Sequence, residues 1–125
     1  MKKHYPIKIT LTLLLLLILN GCSVLPTAEQ PSASAADTLL AQADAKVASG
    51  EIQQAIAVLE RAVRLQPRNA QAWLRLAELY LSQGNYRKAE QFAGRAQQFA
   101  ADNRPLLRRI QDVIKQASEG QKQAG

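Results

Sequence analysis

The feature that most constrains this chain is an internal repeat, because residues between positions 36 and 103 recur at a spacing of 34. The matched residues are mostly small: Ala43 with Ala77, Gly50 with Gly84, Ala55 with Ala89, Ala62 with Ala96, and Asn69 with Asn103. A spacing of 34 residues is the length of one helix–turn–helix unit in a repeat protein. We therefore predict an all-α solenoid with two such units, residues 36–69 and 70–103, stacked side by side.

The hydrophobic pattern predicts four helices in the two units and a fifth helix after them. They cover about residues 35–49, 51–66, 70–83 and 86–101, followed by a capping helix over 104–117. Gly50 and Gly84 supply the left-handed residue that ends the first helix of each unit, and Pro67 stops the second helix. The predicted domain covers residues 35–117. Residues 118–125 are almost entirely polar or small, so we predict a disordered tail there.

The second unit carries its apolar, small and aromatic residues in a characteristic order: Trp73, Leu76, Ala77, Tyr80, Gly84, Tyr86, Ala89 and then Ala96. This order resembles the tetratricopeptide repeat, and the resemblance covers residues 36–117. The unit departs from the family pattern twice. Phe92 stands one place before the usual aromatic position, which holds Ala93, and Ala101 replaces a late proline. Two units are fewer than the three usually needed for stability, so the cap, self-association or a partner must contribute.

The first 21 residues have the pattern of a secretory signal peptide. Three lysines among the first eight residues precede an apolar run over positions 9–19. This run is shorter than the about 20 residues that a transmembrane helix needs. The alternative, a transmembrane anchor, is disfavoured because Asn20 and Gly21 end the run early.

Residues 19–22 read Leu-Asn-Gly-Cys and resemble the lipobox of bacterial lipoproteins. The resemblance implies that Cys22, the only cysteine, carries lipid and anchors the mature protein to a membrane. Ser23 implies by analogy the outer membrane, with the protein facing the periplasm; in a Gram-positive bacterium the anchor would lie in the plasma membrane. The alternative is ordinary cleavage that leaves a free thiol or an intermolecular disulfide. Residues 22–34 predict a flexible tether that keeps the domain near its membrane.

The composition argues against a nucleic-acid partner and against catalysis. Removal of residues 1–21 lowers the net charge from +6 to +3, which is too modest for a nucleic-acid surface. The only histidine, His4, lies in the signal peptide, and lipidation would consume Cys22. The mature chain therefore lacks histidine bases, free thiols and soft metal ligands. We predict no catalytic residue, no metal site and no cofactor.

The tetratricopeptide resemblance implies a concave groove lined by the first helix of each unit. The family's groove positions in this chain include Leu40, Asp44, Val47, Leu74, Glu78, Leu81 and Asp112. The three acids form a column at the repeat spacing, and the leucines and the valine form an apolar stripe beside it. We predict that this groove binds an apolar peptide or helix bearing Lys or Arg. The alternative is that the acids are solvated, or pair with Arg75 or Lys115.

These features favour a membrane-anchored adaptor that recruits or regulates a protein of the cell envelope. The chain resembles two known groups of small outer-membrane lipoproteins: one activates bifunctional peptidoglycan synthases, and the other pilots secretin or pilus assembly. Its size favours the first group, because pilot proteins usually have more repeats. The short tether is unfavourable for a target anchored in the opposite membrane. The alternative from another class is a structural lipoprotein that forms homo-oligomers by stacking its exposed repeat ends.

Overall fold

The structure of the protein is a computed structural model that describes residues 33–125 as five α-helices, with no strand among them. The helices are α1 (Ala33–Ala48), α2 (Ile52–Leu65), α3 (Ala70–Ser82), α4 (Tyr86–Phe99) and α5 (Arg104–Ala124). They confirm the predicted all-α fold of two helix pairs and a capping helix. The predicted signal peptide, Cys22 and the tether as far as residue 32 lie outside the described residues. Within 33–125, no helix is both long and apolar enough to cross a bilayer.

The turns inside the two helix pairs are built in the same way. Gly50 has a φ of 76° and Gly84 a φ of 70°, which are left-handed values that glycine adopts without steric cost. Their backbone N–H groups donate to the carbonyl oxygens of Val47 and Leu81, each at 3.0 Å. The two glycines therefore end α1 and α3 as predicted.

Asparagine side chains cap the start of three helices. The side-chain oxygens of Asn69, Asn85 and Asn103 accept hydrogen bonds from the backbone N–H three residues later, at 3.0, 3.3 and 3.1 Å. Each bond satisfies an N–H group that has no partner within the helix. Asn69 and Asn103 are equivalent at the repeat spacing of 34, whereas Asn85 lies between the two helices of the second unit.

Glu51 stands at the equivalent position before α2, but its side chain makes no cap bond. It accepts hydrogen bonds from Lys46 Nζ at 3.0 Å and from Ser49 Oγ at 2.9 Å. These bonds, with that from Lys46 the stronger influence, hold the pKa of the Glu51 carboxyl below its usual value. The turn of the first unit therefore has side-chain contacts to Glu51 in addition to its backbone hydrogen bonds.

The helices pack in the order of a solenoid, because each helix contacts the next and α3 also contacts α5. Their side chains form two core clusters that both draw on α3. The first contains Leu59 and Leu76, and the second contains Leu74 and Ile110. The alanines that recur at the repeat spacing are almost completely buried: Ala43, Ala55, Ala62, Ala77, Ala89 and Ala96. A larger side chain at such a position costs about 1–3 kcal/mol of folding free energy.

Phe92 contacts two other aromatic residues of the second unit. The ring of Phe92 lies 5.7 Å from that of Trp73 and 5.3 Å from that of Tyr80, measured between centroids. The Trp73 indole N–H also donates to the carbonyl oxygen of Pro67 at 2.8 Å. Phe92 therefore supplies an aromatic contact one place before the usual family position, while Ala93 is completely buried in the second core cluster.

The C-terminal tail differs from the prediction. The capping helix was expected to end at residue 117, with residues 118–125 disordered, but α5 continues to Ala124. The expectation of disorder was based on the near absence of apolar side chains after residue 117. Such side chains are not needed here, because this part of α5 packs through small residues and a hydrogen bond.

Three contacts hold the last turns of α5. Ala117 is completely buried in the first core cluster. Gly120 lies against the Tyr86 ring so closely that a Cβ atom at Gly120 would be 2.4 Å from Cε1 of that ring. The adjacent Gln121 side-chain amide donates to a carboxylate oxygen of Glu90 at 2.7 Å. The helix therefore continues along the start of α4.

Candidate functional site

A cleft of about 360 Å³ opens between α1 and α3, the first helices of the two units. It is lined by Ala43, Asp44, Val47, Ile52, Leu59, Arg75, Glu78, Leu79 and Ser82. Most of these residues come from α1 and α3, and α2 supplies Ile52 and Leu59. We call this site the α1–α3 cleft.

The floor of the cleft is apolar. Ala43, Leu59 and Leu79 are buried there, and Ile52 is half-buried against the first core cluster. Val47 stands above them with 39% of its surface exposed. An apolar group that entered the cleft would bury its own surface together with the exposed part of Val47, which is favourable by about 25 cal/mol per Å² of apolar surface buried.

The rim of the cleft carries a row of alternating charges that we call the charge ladder. Arg75 donates to Asp44 at 3.2 Å across the two repeats and to Glu78 at 3.4 Å within α3. Arg109 of α5 donates to the other carboxylate oxygen of Glu78 at 2.5 Å. Asp44 and Glu78 are therefore both paired with Arg75. Pairing with Arg75 was part of the alternative interpretation of the acidic column. Asp112 has no ion-pair partner among residues 33–125.

The structure brings together three of the seven predicted groove residues. Asp44, Val47 and Glu78 line the cleft. Leu40 and Leu81 are half-buried and pack against the core, so their side chains are only partly accessible.

Two of the predicted groove residues lie elsewhere. Leu74 is completely buried and packs in the second core cluster with Ile110 and Val113 of α5. It was expected to line the groove, but α5 covers it. Asp112 is exposed on α5, where it borders a separate shallow depression with Arg104 and Arg108.

The sequence reasoning missed Leu79 and Arg109 as parts of the site. Leu79 belongs to the apolar floor, and Arg109 completes the charge ladder. A signal for Arg109 is present in the sequence, because Arg75 and Arg109 are separated by the repeat spacing of 34. The acidic column therefore has an arginine column beside it.

The arrangement is suited to binding. The cleft offers an apolar floor, a charged rim and no nucleophile–base pair. Among residues 33–125, no cluster of three or more histidine, cysteine, aspartate and glutamate side chains could hold a metal ion. What the cleft can do chemically is take an apolar side chain and orient the polar groups around it.

Comparisons with known proteins agree with the fold. A family model described as tetratricopeptide repeat matches residues 46–113. The chain is 39% identical to the globular C-terminal domain of P. aeruginosa LpoP over 70% of this chain and 82% of that domain, with a TM-score of 0.65. It is similar in fold to MamA at 22% identity, over 71% of this chain and 60% of MamA, with a TM-score of 0.50. A search of curated proteins gave no match.

Proposed function

This chain belongs to the tetratricopeptide repeat family, and we propose that it is a lipid-anchored adaptor of the bacterial cell envelope that holds a partner protein in the α1–α3 cleft. The observation that carries the proposal is the combination of an open apolar floor with a charged rim. Apolar contacts in a groove supply affinity, and charges around it supply orientation and partner choice. The family fold itself is a protein-interaction domain.

The exposed valine in the cleft supports this proposal. Val47 and Leu65 are the two exposed large hydrophobic residues of the described part of the chain. Val47 borders a concave surface, whereas Leu65 does not line the cleft. An exposed aliphatic side chain beside an apolar depression marks a surface that a partner can cover.

We propose that the partner is an envelope protein, and specifically a bifunctional peptidoglycan synthase. The likeness to the LpoP domain supports a bacterial setting and a small globular domain as the working unit. The choice of a synthase over a secretin or pilus component comes from the size of the chain, since two repeats and a cap suit that group of lipoproteins better.

The anchoring part of the proposal depends on residues 1–22. A signal peptide over 1–21 and lipid on Cys22 would place the domain beside the outer membrane, facing the periplasm. Replacing the lipid acceptor, Cys22→Ser, should move the protein from the membrane fraction to the soluble periplasmic fraction. The amino-terminal mass of the wild-type protein should show the acyl chains. An unmodified Cys22 in a protein that stays in the membrane would overturn lipid anchoring.

The partner proposal is tested by photocrosslinking in living cells. A photoreactive amino acid is placed at Val47, and crosslinked proteins are identified by mass spectrometry. Leu65 provides a matched control, because it is an aliphatic residue of similar exposure outside the cleft. We expect a peptidoglycan synthase from position 47 and not from position 65.

Other outcomes of the crosslinking experiment also decide the proposal. A secretin or pilus component at position 47 would overturn the synthase assignment and leave the adaptor role standing. A crosslink to a second copy of this chain would favour the self-assembling lipoprotein instead. Equal capture at both positions would mean that the cleft is not the binding surface.

A further inference from the structure

We propose that the α1–α3 cleft selects partner segments in which a Lys or Arg lies within four residues of the apolar side chain that fills the cleft, and that Asp44 binds this cation. The inference rests on the proposed function, because it specifies the chemistry of the partner in the same cleft. It assigns the cation to Asp44 alone, whereas the acidic column as a whole suggested three equivalent sites.

The charge ladder treats its two cleft acids differently. Glu78 has an arginine on each carboxylate oxygen, Arg75 on Oε2 and Arg109 on Oε1. Asp44 has one arginine, Arg75, on Oδ2. Its other oxygen has no partner among the residues that the structure describes, and 51% of its side chain is exposed. Asp44 is therefore a carboxylate with room for one more cation.

The repeat explains why Asp44 has no arginine from its own helix. Arg75 lies three residues before Glu78 on α3, and Arg109 stands at the equivalent place in α5. The equivalent place in α1 holds Ala41. An alanine side chain carries no charge and no hydrogen-bond donor, so Asp44 lacks the arginine that its own helix would otherwise provide.

Asp44 and Val47 are neighbours on one face of α1, since residues three apart on a helix have Cβ atoms about 5–6 Å from each other. Both border the cleft. The nearby cation Lys46 is engaged with Glu51 at 3.0 Å. A partner segment that placed an apolar side chain beside Val47 would therefore bring a lysine or arginine a few residues away within reach of Asp44.

Asp112 provides the internal control. It stands at the same position of the repeat as Asp44 and Glu78, and it too lacks an ion pair within 33–125. Its surroundings differ, because the depression that it borders also contains Arg104 and Arg108. These arginines make the depression less favourable for a cationic partner, so we expect no contribution from Asp112.

The test uses the full-length protein purified in detergent and a library of random peptides displayed on phage. The most enriched peptide is synthesised with a fluorescent label, and its Kd is measured by fluorescence anisotropy. We expect enriched peptides to pair a large apolar residue with Lys or Arg within four positions. Asp44→Asn should weaken binding about two- to fivefold, the range of an exposed ion pair, and Asp112→Asn should leave the Kd unchanged.

Charge reversal gives the sharper comparison. A peptide in which Glu replaces the Lys or Arg should bind more tightly to Asp44→Lys than to the wild-type protein. Added salt should reduce this difference in affinity. Enriched peptides without a cation, or an unchanged Kd for Asp44→Asn, would overturn the inference.

A third variant separates this inference from the proposed function. Val47→Asp removes the apolar side chain that borders the cleft and should abolish binding. If it does so while Asp44→Asn changes nothing, the cleft is the binding site and only the cation assignment fails. If neither variant changes the Kd, both proposals fail.

Discussion

The contact between Gly120 and Tyr86 predicts that one substitution will change stability in opposite directions in two backgrounds. A Cβ atom at Gly120 would lie 2.4 Å from Cε1 and 2.6 Å from both Cδ1 and Cζ of the Tyr86 ring. Non-bonded carbons prefer a separation of about 3.5–4.0 Å. Gly120→Ala therefore requires the ring or the last turns of α5 to move by about 1 Å, as the difference between these distances shows.

The expected energies follow from this overlap. Overpacking a well-filled site costs about 1–3 kcal/mol, while replacing glycine with alanine inside a helix contributes about 1 kcal/mol of stability. We expect Gly120→Ala to destabilise the wild-type protein by about 0–2 kcal/mol, the difference of these two effects. In a Tyr86→Ala background the overlap is gone, so the same substitution should stabilise the protein by up to about 1 kcal/mol.

Urea denaturation of the four proteins in this double-mutant cycle measures the effect. The coupling free energy should be about 1–3 kcal/mol. Gly94→Ala is the matched control, because Gly94 lies within α4 and a Cβ atom there would meet nothing within 4 Å. It should be stabilising by about 0.5–1 kcal/mol in both backgrounds. If Gly120→Ala stabilises the wild-type protein as much as Gly94→Ala does, the end of α5 does not pack on Tyr86.

Three further predictions concern backbone strain, burial and pH. Ala101 has a φ of 47°, so Ala101→Gly should relieve left-handed strain and raise the free energy of unfolding by about 1 kcal/mol in denaturation experiments; a loss of stability would contradict this. Leu74→Ala should cost about 2–5 kcal/mol because the side chain is completely buried, whereas Val47→Ala should change unfolding little and weaken partner capture. The lowered pKa of Glu51 means that its contacts stabilise the fold above the ordinary carboxyl pKa of 4.5. This effect is lost as the pH falls through the lower folded-state pKa. The thermal midpoint of wild type should therefore approach that of Glu51→Gln as the pH is lowered from about 5 to below 4, and a constant difference would count against the contact with Lys46.

The local features of the fold could be predicted because they follow from short-range rules. Gly50 and Gly84 end their helices through the backbone conformation that glycine allows. Asn69 and Asn103 start helices through a bond to an N–H three residues away. The spacing of 34 then set the number of helix pairs. None of these features requires knowledge of which side chain lies opposite.

The burial of a residue could not be predicted from the burial of its equivalent in the other repeat. Leu40 and Leu74 are equivalent at the repeat spacing, and both were predicted to line the groove. Leu40 is half-buried, whereas Leu74 is completely buried. Leu74 lies on a middle helix and packs in a cluster with residues of both α4 and α5, whereas Leu40 lies on α1, the first helix of the described residues. In a short solenoid each helix has different neighbours, so equivalent positions have different exposure.

The charges of the cleft show the same limit. The sequence contains an acidic column and, beside it, two arginines at the repeat spacing, Arg75 and Arg109. The pairs that form across helices, Arg75 with Asp44 and Arg109 with Glu78, join residues 31 positions apart. That spacing is the repeat length minus about one helical turn. Residues at this spacing come close enough to pair only when the helices lie side by side.

By itself, the sequence determined that this protein is an all-α repeat domain with two helix pairs and a capping helix, because helix period, caps and left-handed glycines act over a few residues. Only the tertiary structure decided which side chains reach solvent. It placed Leu74 in the core, extended α5 over Tyr86 through Gly120, and paired all but one oxygen of the two cleft acids. These outcomes depend on contacts between helices distant in the chain, and such contacts exist only after the helices have packed.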